Sequence, residues 1–242
     1  LLFLPLFQIA VNKLLFVIFL LCFQPLFSQS EQTEKKLVEK MINQAGKAFE
    51  KGEYEKSLDL SSQALKRAFR LDDDYLIAHA YNAIGVVYDE FSESKRAIEF
   101  YTKALRYTAN LNNDSLKDYI NSNIGTVYYY SKIDVRKGID YYKKALYYSL
   151  KTGDSAQIAY GKLNIVSAYF YLGEWKNGMQ YLDQIRRYIE SKGQPEARLS
   201  YYGLLGLYNT NVTHDQNAAE SYYRKSLAIG QEHHMESFQI NT

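Results

Sequence analysis

Residues 81–107 read YNAIGVVYDEFSESKRAIEFYTKALRY, and two helices joined by a short turn are legible in them. Tyr81, Ile84, Gly85 and Tyr88 recur at i, i+3, i+4 and i+7, the spacing of one buried helical face. Ser92-Glu93-Ser94 makes the turn, and Ala97, Ile98, Tyr101, Ala104 and Leu105 set the buried face of the second helix. Asn112-Asn113-Asp114 then ends the unit and offers a side-chain oxygen to the free N–H groups of the next helix. A glycine inside a helix costs about 1 kcal/mol relative to alanine, so Gly85 needs a packing reason. Two helices can approach closely only where side chains are short.

The same pattern occurs five times. The small residue after a bulky one falls at Ala45, Gly85, Gly125, Val166 and Gly206, in steps of 40, 40, 41 and 40 positions. A second line runs Ser57, Ala97, Gly138, Gly178, Ala219, and a third runs Ala64, Ala104, Ala145, Ile185, Ser226. Self-similarity at this period marks a stacked repeat array, whose core is a line and not a ball. Small residues on one helix are expected to face small residues on the other, with Tyr, Leu and Ile on the flanks. Val166 and Ile185 break the lines in the fourth copy, so its helices should be pushed apart or rotated. Pro195 stands where a helix should start, and Gly193 is expected to stop the preceding helix in the left-handed conformation.

At these residues the chain resembles the tetratricopeptide repeat family. Copy two carries Tyr81, Ile84-Gly85, Tyr88, Ala97, Tyr101 and Ala104; copy three carries Asn121, Ile124-Gly125, Tyr128, Gly138, Tyr142 and Ala145. Copy four matches through Ile165-Val166, Tyr169, Gly173, Trp175, Gly178 and Leu182. Copy one matches through Gly52, Tyr54, Ser57 and Ala64, and copy five through Tyr202, Leu205-Gly206, Ala219, Tyr223 and Ser226. The resemblance implies an all-α, right-handed superhelical solenoid of helix pairs, helix A followed by helix B. Repeats are expected at about 31–71, 72–111, 112–152, 153–192 and 193–230, with 231–242 opening an incomplete sixth. The period exceeds the ~34 residues of the common form, and the family's closing proline is absent.

The N-terminal stretch has a different character. Lys13 precedes the uninterrupted apolar run Leu14–Phe23, Gln24-Pro25 breaks it, and Ser28-Gln29-Ser30 supplies small residues for a signal peptidase. The run is short for a membrane span. A cleaved secretory signal over residues 1–30 is expected, with an uncleaved anchor as the alternative; Val11 reads as the start of translation. The one cysteine, Cys22, lies in this leader, and Leu21 before it is too large for a lipidation box. Export to the periplasm or cell envelope follows as an expectation.

Formal net charge is +2, falling to +1 without Lys13, and no long run of one sign occurs. A main partner of nucleic acid, which needs a clustered basic face, is therefore not expected. Phosphate loops, His-Glu-x-x-His and nucleophile elbows are absent from the sequence. No catalytic role, cofactor or metal is expected; His233-His234 and the glycosylation-type Asn211-Val212-Thr213 carry bland readings.

The resemblance places helix A on the concave face, which implies a protein- or peptide-binding groove. The groove positions are His79, Asn82 and Asp89 in copy two and Tyr119, Ser122, Asn123, Tyr129 and Tyr130 in copy three. Copy four adds Tyr160, Asn164, Phe170 and Tyr171. Asn123 and Asn164 share a register one repeat apart. An Asn can both donate to and accept from a peptide backbone, and tyrosines give contact area at low entropic cost. One member of each pair, Tyr129-Tyr130 and Phe170-Tyr171, is expected to pack and the other to face the groove. The family's grip on a terminal carboxylate maps to Ile42 and Gly46, so a chaperone-tail partner is not expected. An alternative function is the N-terminal sensory portion of a bacterial membrane histidine kinase or transcription regulator.

Overall fold

The computed structural model describes residues 29–235. Lys13, the Leu14–Phe23 run and Ser28 of the expected signal lie outside the described residues, as do residues 236–242 of the expected sixth repeat. Among the described residues the chain is helix and turn without strands. The helices are α1 (29–50), α2 (Tyr54–Leu71), α3 (Asp74–Glu90), α4 (Ser94–Tyr107), α5 (Asp114–Tyr130), α6 (Val135–Thr152), α7 (Ser155–Tyr171), α8 (Trp175–Lys192), α9 (Pro195–Tyr208) and α10 (Gln216–Glu232). A π-helical turn, Asn209–Thr213, extends α9. Two compact units divide inside α3, Leu1–Ile84 and Gly85–Thr242.

In the first unit α1 and α2 bury small residues: Ala45 and Ala48 on α1, and Ser57, Ser61, Ala64 and Ala68 on α2. Leu76, Ile77 and Ala80 of α3 are buried in the same unit. An ion pair of Arg67 with Glu34 (2.5 Å) ties α1 to α2, and one of Lys35 with Asp73 (3.2 Å) ties α1 to the turn before α3.

In the second unit each helix pair turns on a contact that differs from the expected small-on-small packing. A Cβ built on Gly85 would stand 2.7 Å from the Tyr101 ring, one on Gly125 2.6 Å from Tyr142, and one on Gly206 2.5 Å from Tyr223. The glycine on helix A is a notch that seats a tyrosine from helix B. Small residues do meet at Gly138, whose Cβ would lie 3.1 Å from the Gly125 carbonyl. The fourth pair inverts the device. Val166 replaces the glycine, Leu182 stands in the tyrosine register, and both are fully buried in one cluster. The notch moves to helix B, where Gly178 seats the Phe170 ring from helix A at 2.5 Å. This pair packs less extensively than α5 with α6.

A second aromatic line runs beside the notches. Tyr88 stacks on Phe100 (5.2 Å), Tyr128 on Tyr141 (5.8 Å), Tyr169 on Tyr181 (6.2 Å) and Tyr202 on Tyr222 (6.3 Å). Basic side chains cover these stacks, among them Lys103 on Phe100, Lys144 on Tyr141 and Lys225 on Tyr202 and Tyr222. Each such cation–ring contact is worth about 0.5–1 kcal/mol at an exposed site.

Turn chemistry follows the sequence in most places. Asn113 Oδ1 accepts from Leu116 N–H, Asp134 Oδ1 from Lys137 N–H, and Asp215 Oδ1 from Ala218 N–H. Pro195 opens α9. Gly193 is a correction: its φ of −61° and ψ of 133° are extended, not left-handed. Its missing side chain instead leaves room for Ile189, whose carbonyl would lie 2.7 Å from a Cβ there. Left-handed residues sit in the turns between helices A and B, at Gly52, Ser92, Lys132, Gly173 and His214, and after helix B at Asp72, Gly153 and His234.

The notch gives a direct test. Gly125→Ala should destabilise by about 1–3 kcal/mol through overpacking, although alanine is the better helix former by about 1 kcal/mol. Gly125→Val combined with Tyr142→Leu, the fourth pair's solution, should recover a large part of the loss relative to Gly125→Val alone. Urea unfolding of wild type, Gly125→Val, Tyr142→Leu and the double variant measures the coupling; additive effects would show that the ring and the notch do not meet.

Candidate helix-A binding face

The twelve positions expected to form the groove fall into two sets. His79 and Asn82 belong to the first unit and the other ten to the second. His79 lies edge-on to Tyr75 at 4.4 Å, and burial holds its imidazole below the usual value. Asn82 is buried. It does not present its amide to a ligand, which corrects the expectation. Phe170 is the second correction. Seated on Gly178 and packed on Trp175 (4.9 Å) and Tyr208 (6.1 Å), it belongs to the core.

The remaining residues of α5 and α7 form a face with graded exposure. Tyr119 is exposed, and Tyr130 is 71% exposed. Tyr129 is half-buried and meets two rings edge-on, Tyr130 at 5.0 Å and Tyr171 at 6.0 Å. The three rings thus join neighbouring helices α5 and α7 in one aromatic cluster, with Lys132 Nζ 5.3 Å from the Tyr171 centroid. Within each adjacent pair one ring is the more buried: Phe170 is in the core and Tyr129 is half-buried, while Tyr130 and Tyr171 are exposed.

Asn123 and Asn164 are both half-buried, and Asn123 already has an interaction within the protein. Tyr160 is half-buried, and burial with the nearby Glu196 carboxylate pushes its hydroxyl up. Ser122 turns inward to Asp118, a residue not expected from the sequence. The buried Asp118 carboxylate also accepts from Ser149 Oγ at 2.8 Å, fastening the second turn of α5 to α6. Burial raises Asp118 above the ordinary carboxylate range.

Beside the aromatic cluster an open cleft of about 760 Å³ is lined by Asp89, Glu93, Lys95, Arg96, Tyr130 and Ile133. A second, of about 780 Å³, is lined by Trp175, Met179, Asp183, Tyr208 and Val212. Between them the turn edge is bridged by the Arg136–Glu174 ion pair at 2.5 Å. Neither cleft was expected from the sequence. Ile133, an apolar residue 56% exposed in a turn, was the available signal. Among the described residues no three His, Cys, Asp or Glu side chains form a metal-binding group, and no helix is long and apolar enough to cross a membrane.

The family model of the tetratricopeptide repeat matches residues 39–109. Over that segment the chain is similar to the tetratricopeptide repeat. Solved structures extend the likeness of fold beyond that segment. BtubC (BKLC) from P. vanneervenii is similar over 89% of this chain and 92% of its own, with a TM-score of 0.69 at 19% identity. A putative kinesin light chain of Podosopora anserina with TPR-like repeats covers 82% of this chain and 97% of its own, with a TM-score of 0.64 at 14% identity. A Rap conjugation gene regulator, solved in complex with the Phr peptide, is matched over 78% of this chain and 52% of its own, with a TM-score of 0.61 at 16% identity. The tetratricopeptide repeat fold is in general a protein-interaction scaffold.

Asp118 generates a pH prediction. An aspartate with a raised folded-state pKa binds its proton earlier in the native protein than in the unfolded chain. Its ionised form therefore costs stability at neutral pH, and that cost is relieved as pH falls through the raised value. Asp118→Asn keeps an acceptor for Ser149 and removes the buried charge. The variant should be at least as stable as wild type at pH 7, with its margin shrinking as pH falls toward the ordinary aspartate range. Denaturant unfolding of both proteins across that range measures the difference; a variant that loses stability at pH 7 would contradict it.

Proposed function

We propose that the helix-A face of α5 and α7 docks an extended peptide or a peptide segment of a partner protein. The observation that carries this reading is the Tyr129–Tyr130–Tyr171 cluster, which joins two neighbouring repeats and leaves Tyr130 and Tyr171 substantially exposed. Large rings held at solvent are costly to leave uncovered and give rigid contact area when covered. Asn164 and Asn123 lie at matching positions of the two helices, where an amide can bond a peptide backbone. The Rap structure that contains the Phr peptide has the same kind of fold, which supports a peptide as ligand.

The test uses random peptides displayed on phage and panned on the immobilised protein. Tyr130→Ala with Tyr171→Ala should weaken selected peptides by about 1–3 kcal/mol. The melting temperature should barely move, because both rings are exposed. Peptides that bind the double variant as tightly as wild type would place the docking surface elsewhere.

The reading includes export. It is supported by Lys13, the Leu14–Phe23 run and the small residues Ser28 and Ser30. Protein recovered from the cell envelope of the source should begin at Gln29 or Glu31 on N-terminal sequencing. A cytoplasmic protein that retains Leu14–Phe23 would count against export.

A further inference from the structure

Asp89, on the neighbouring helix α3, is a feature that the docking reading leaves unused. It lies in the last turn of α3, and its backbone carbonyl accepts from Ser92 N–H at 2.8 Å. The side chain is half-buried and lines the cleft beside Tyr130 and Ile133. Among the described residues, three nearby basic groups are committed elsewhere and none is ion-paired with Asp89. Arg96 pairs with Glu93 at 3.0 Å and lies over the Tyr88 ring, Lys103 pairs with Glu99, and Lys132 lies over Tyr171. Lys95 stands on the cleft rim, exposed. A partly desolvated carboxylate without an ion-pair partner is a costly arrangement. Its charge is felt by the buried Tyr101 and Tyr142 hydroxyls, both pushed upward in part by Asp89. Burial and the neighbouring Glu90 in turn raise Asp89 itself.

We propose that Asp89 and Tyr130 form the seat for one lysine or arginine side chain of the docked peptide. The proposal rests on the docking reading of the helix-A face and names the chemistry of one anchor in it. Three features of the cleft match such a guest. The carboxylate supplies the counter-charge. The exposed Tyr130 ring supplies a face for a cation, and Ile133 with the edge of that ring supplies an apolar wall for the aliphatic stem. The volume of about 760 Å³ accommodates the whole side chain with water around its head group. An acidic guest would meet both Asp89 and Glu93, and would find a free counter-charge only in Lys95 at the exposed rim, Arg96 being paired with Glu93. An apolar guest would strip more water from Asp89 and return no bond.

The experiment pans the same phage-displayed random peptides on the full chain and on Asp89→Asn and Asp89→Lys, with melting curves for each. Asn has the shape of Asp, so Asp89→Asn should fold. Wild-type-selected peptides should align on one position rich in Lys and Arg, and should bind Asp89→Asn about tenfold more weakly. Asp89→Lys should select Asp or Glu at that aligned position. Wild-type peptides without a basic position, or with unchanged affinity for a folded Asp89→Asn, would overturn the proposal. If those peptides still depend on Tyr130 and Tyr171, the docking surface stands and only the cation seat is lost. If no peptide is selected by any of the proteins, both readings fail.

Discussion

A tyrosine ring seated on a glycine sets how close the two helices of a pair can lie. The helix backbone is exposed at Gly85, Gly125 and Gly206, and the flat ring of Tyr101, Tyr142 or Tyr223 fills the space a side chain would need. The cost of an interior glycine, about 1 kcal/mol in each helix, is offset by burying a large ring that touches backbone on one side and neighbouring side chains on the other. The stacked pairs Tyr88–Phe100, Tyr128–Tyr141 and Tyr169–Tyr181 lie beside the crossing at similar separations.

The same ring also links the core to the surface. A tyrosine that enters from helix B carries its hydroxyl toward helix A. The Tyr142 hydroxyl reaches Thr126 Oγ1 at 3.2 Å, and the Thr210 and Tyr223 hydroxyls lie 3.4 Å apart. Around Tyr142 gather Tyr129, Tyr130 and Asp89, the residues of the aromatic cluster and the cleft. The helix-A face is therefore supported from beneath by buried side chains of the packing motif, so its exposed rings stand on a fixed floor and not on loops.

Much of the fold was legible because interior glycines at a steady period have few explanations. The helix starts at Asn113 and Pro195 could be read from capping chemistry alone. What filled the glycine notches could not, because a periodic alignment shows which residues share a register and not which volumes meet across it. The line Phe100, Tyr141, Tyr181, Tyr222 was equally periodic but was lost among the many other aromatic residues. On the candidate site, the alternation within Tyr129-Tyr130 and Phe170-Tyr171 was legible from helix geometry. The full burial of Phe170 was not, since it depends on Gly178 having become the notch of its pair. Gly193 misled for a related reason: a glycine after a helix can serve a left-handed turn or a close approach, and here Ile189 required the second.

The inverted fourth pair bears on how such a chain can change through duplication and recombination. A crossover that joined α7 to α6 would set Val166 against the ring of Tyr142, and one that joined α5 to α8 would leave Gly125 facing the shorter Leu182. Breakpoints inside a pair would thus yield misfitting hybrids, while breakpoints at 112–113 or 153–154 would pass on a matched set. The heritable module of this array is the two-helix pair, and its single helices are not interchangeable parts.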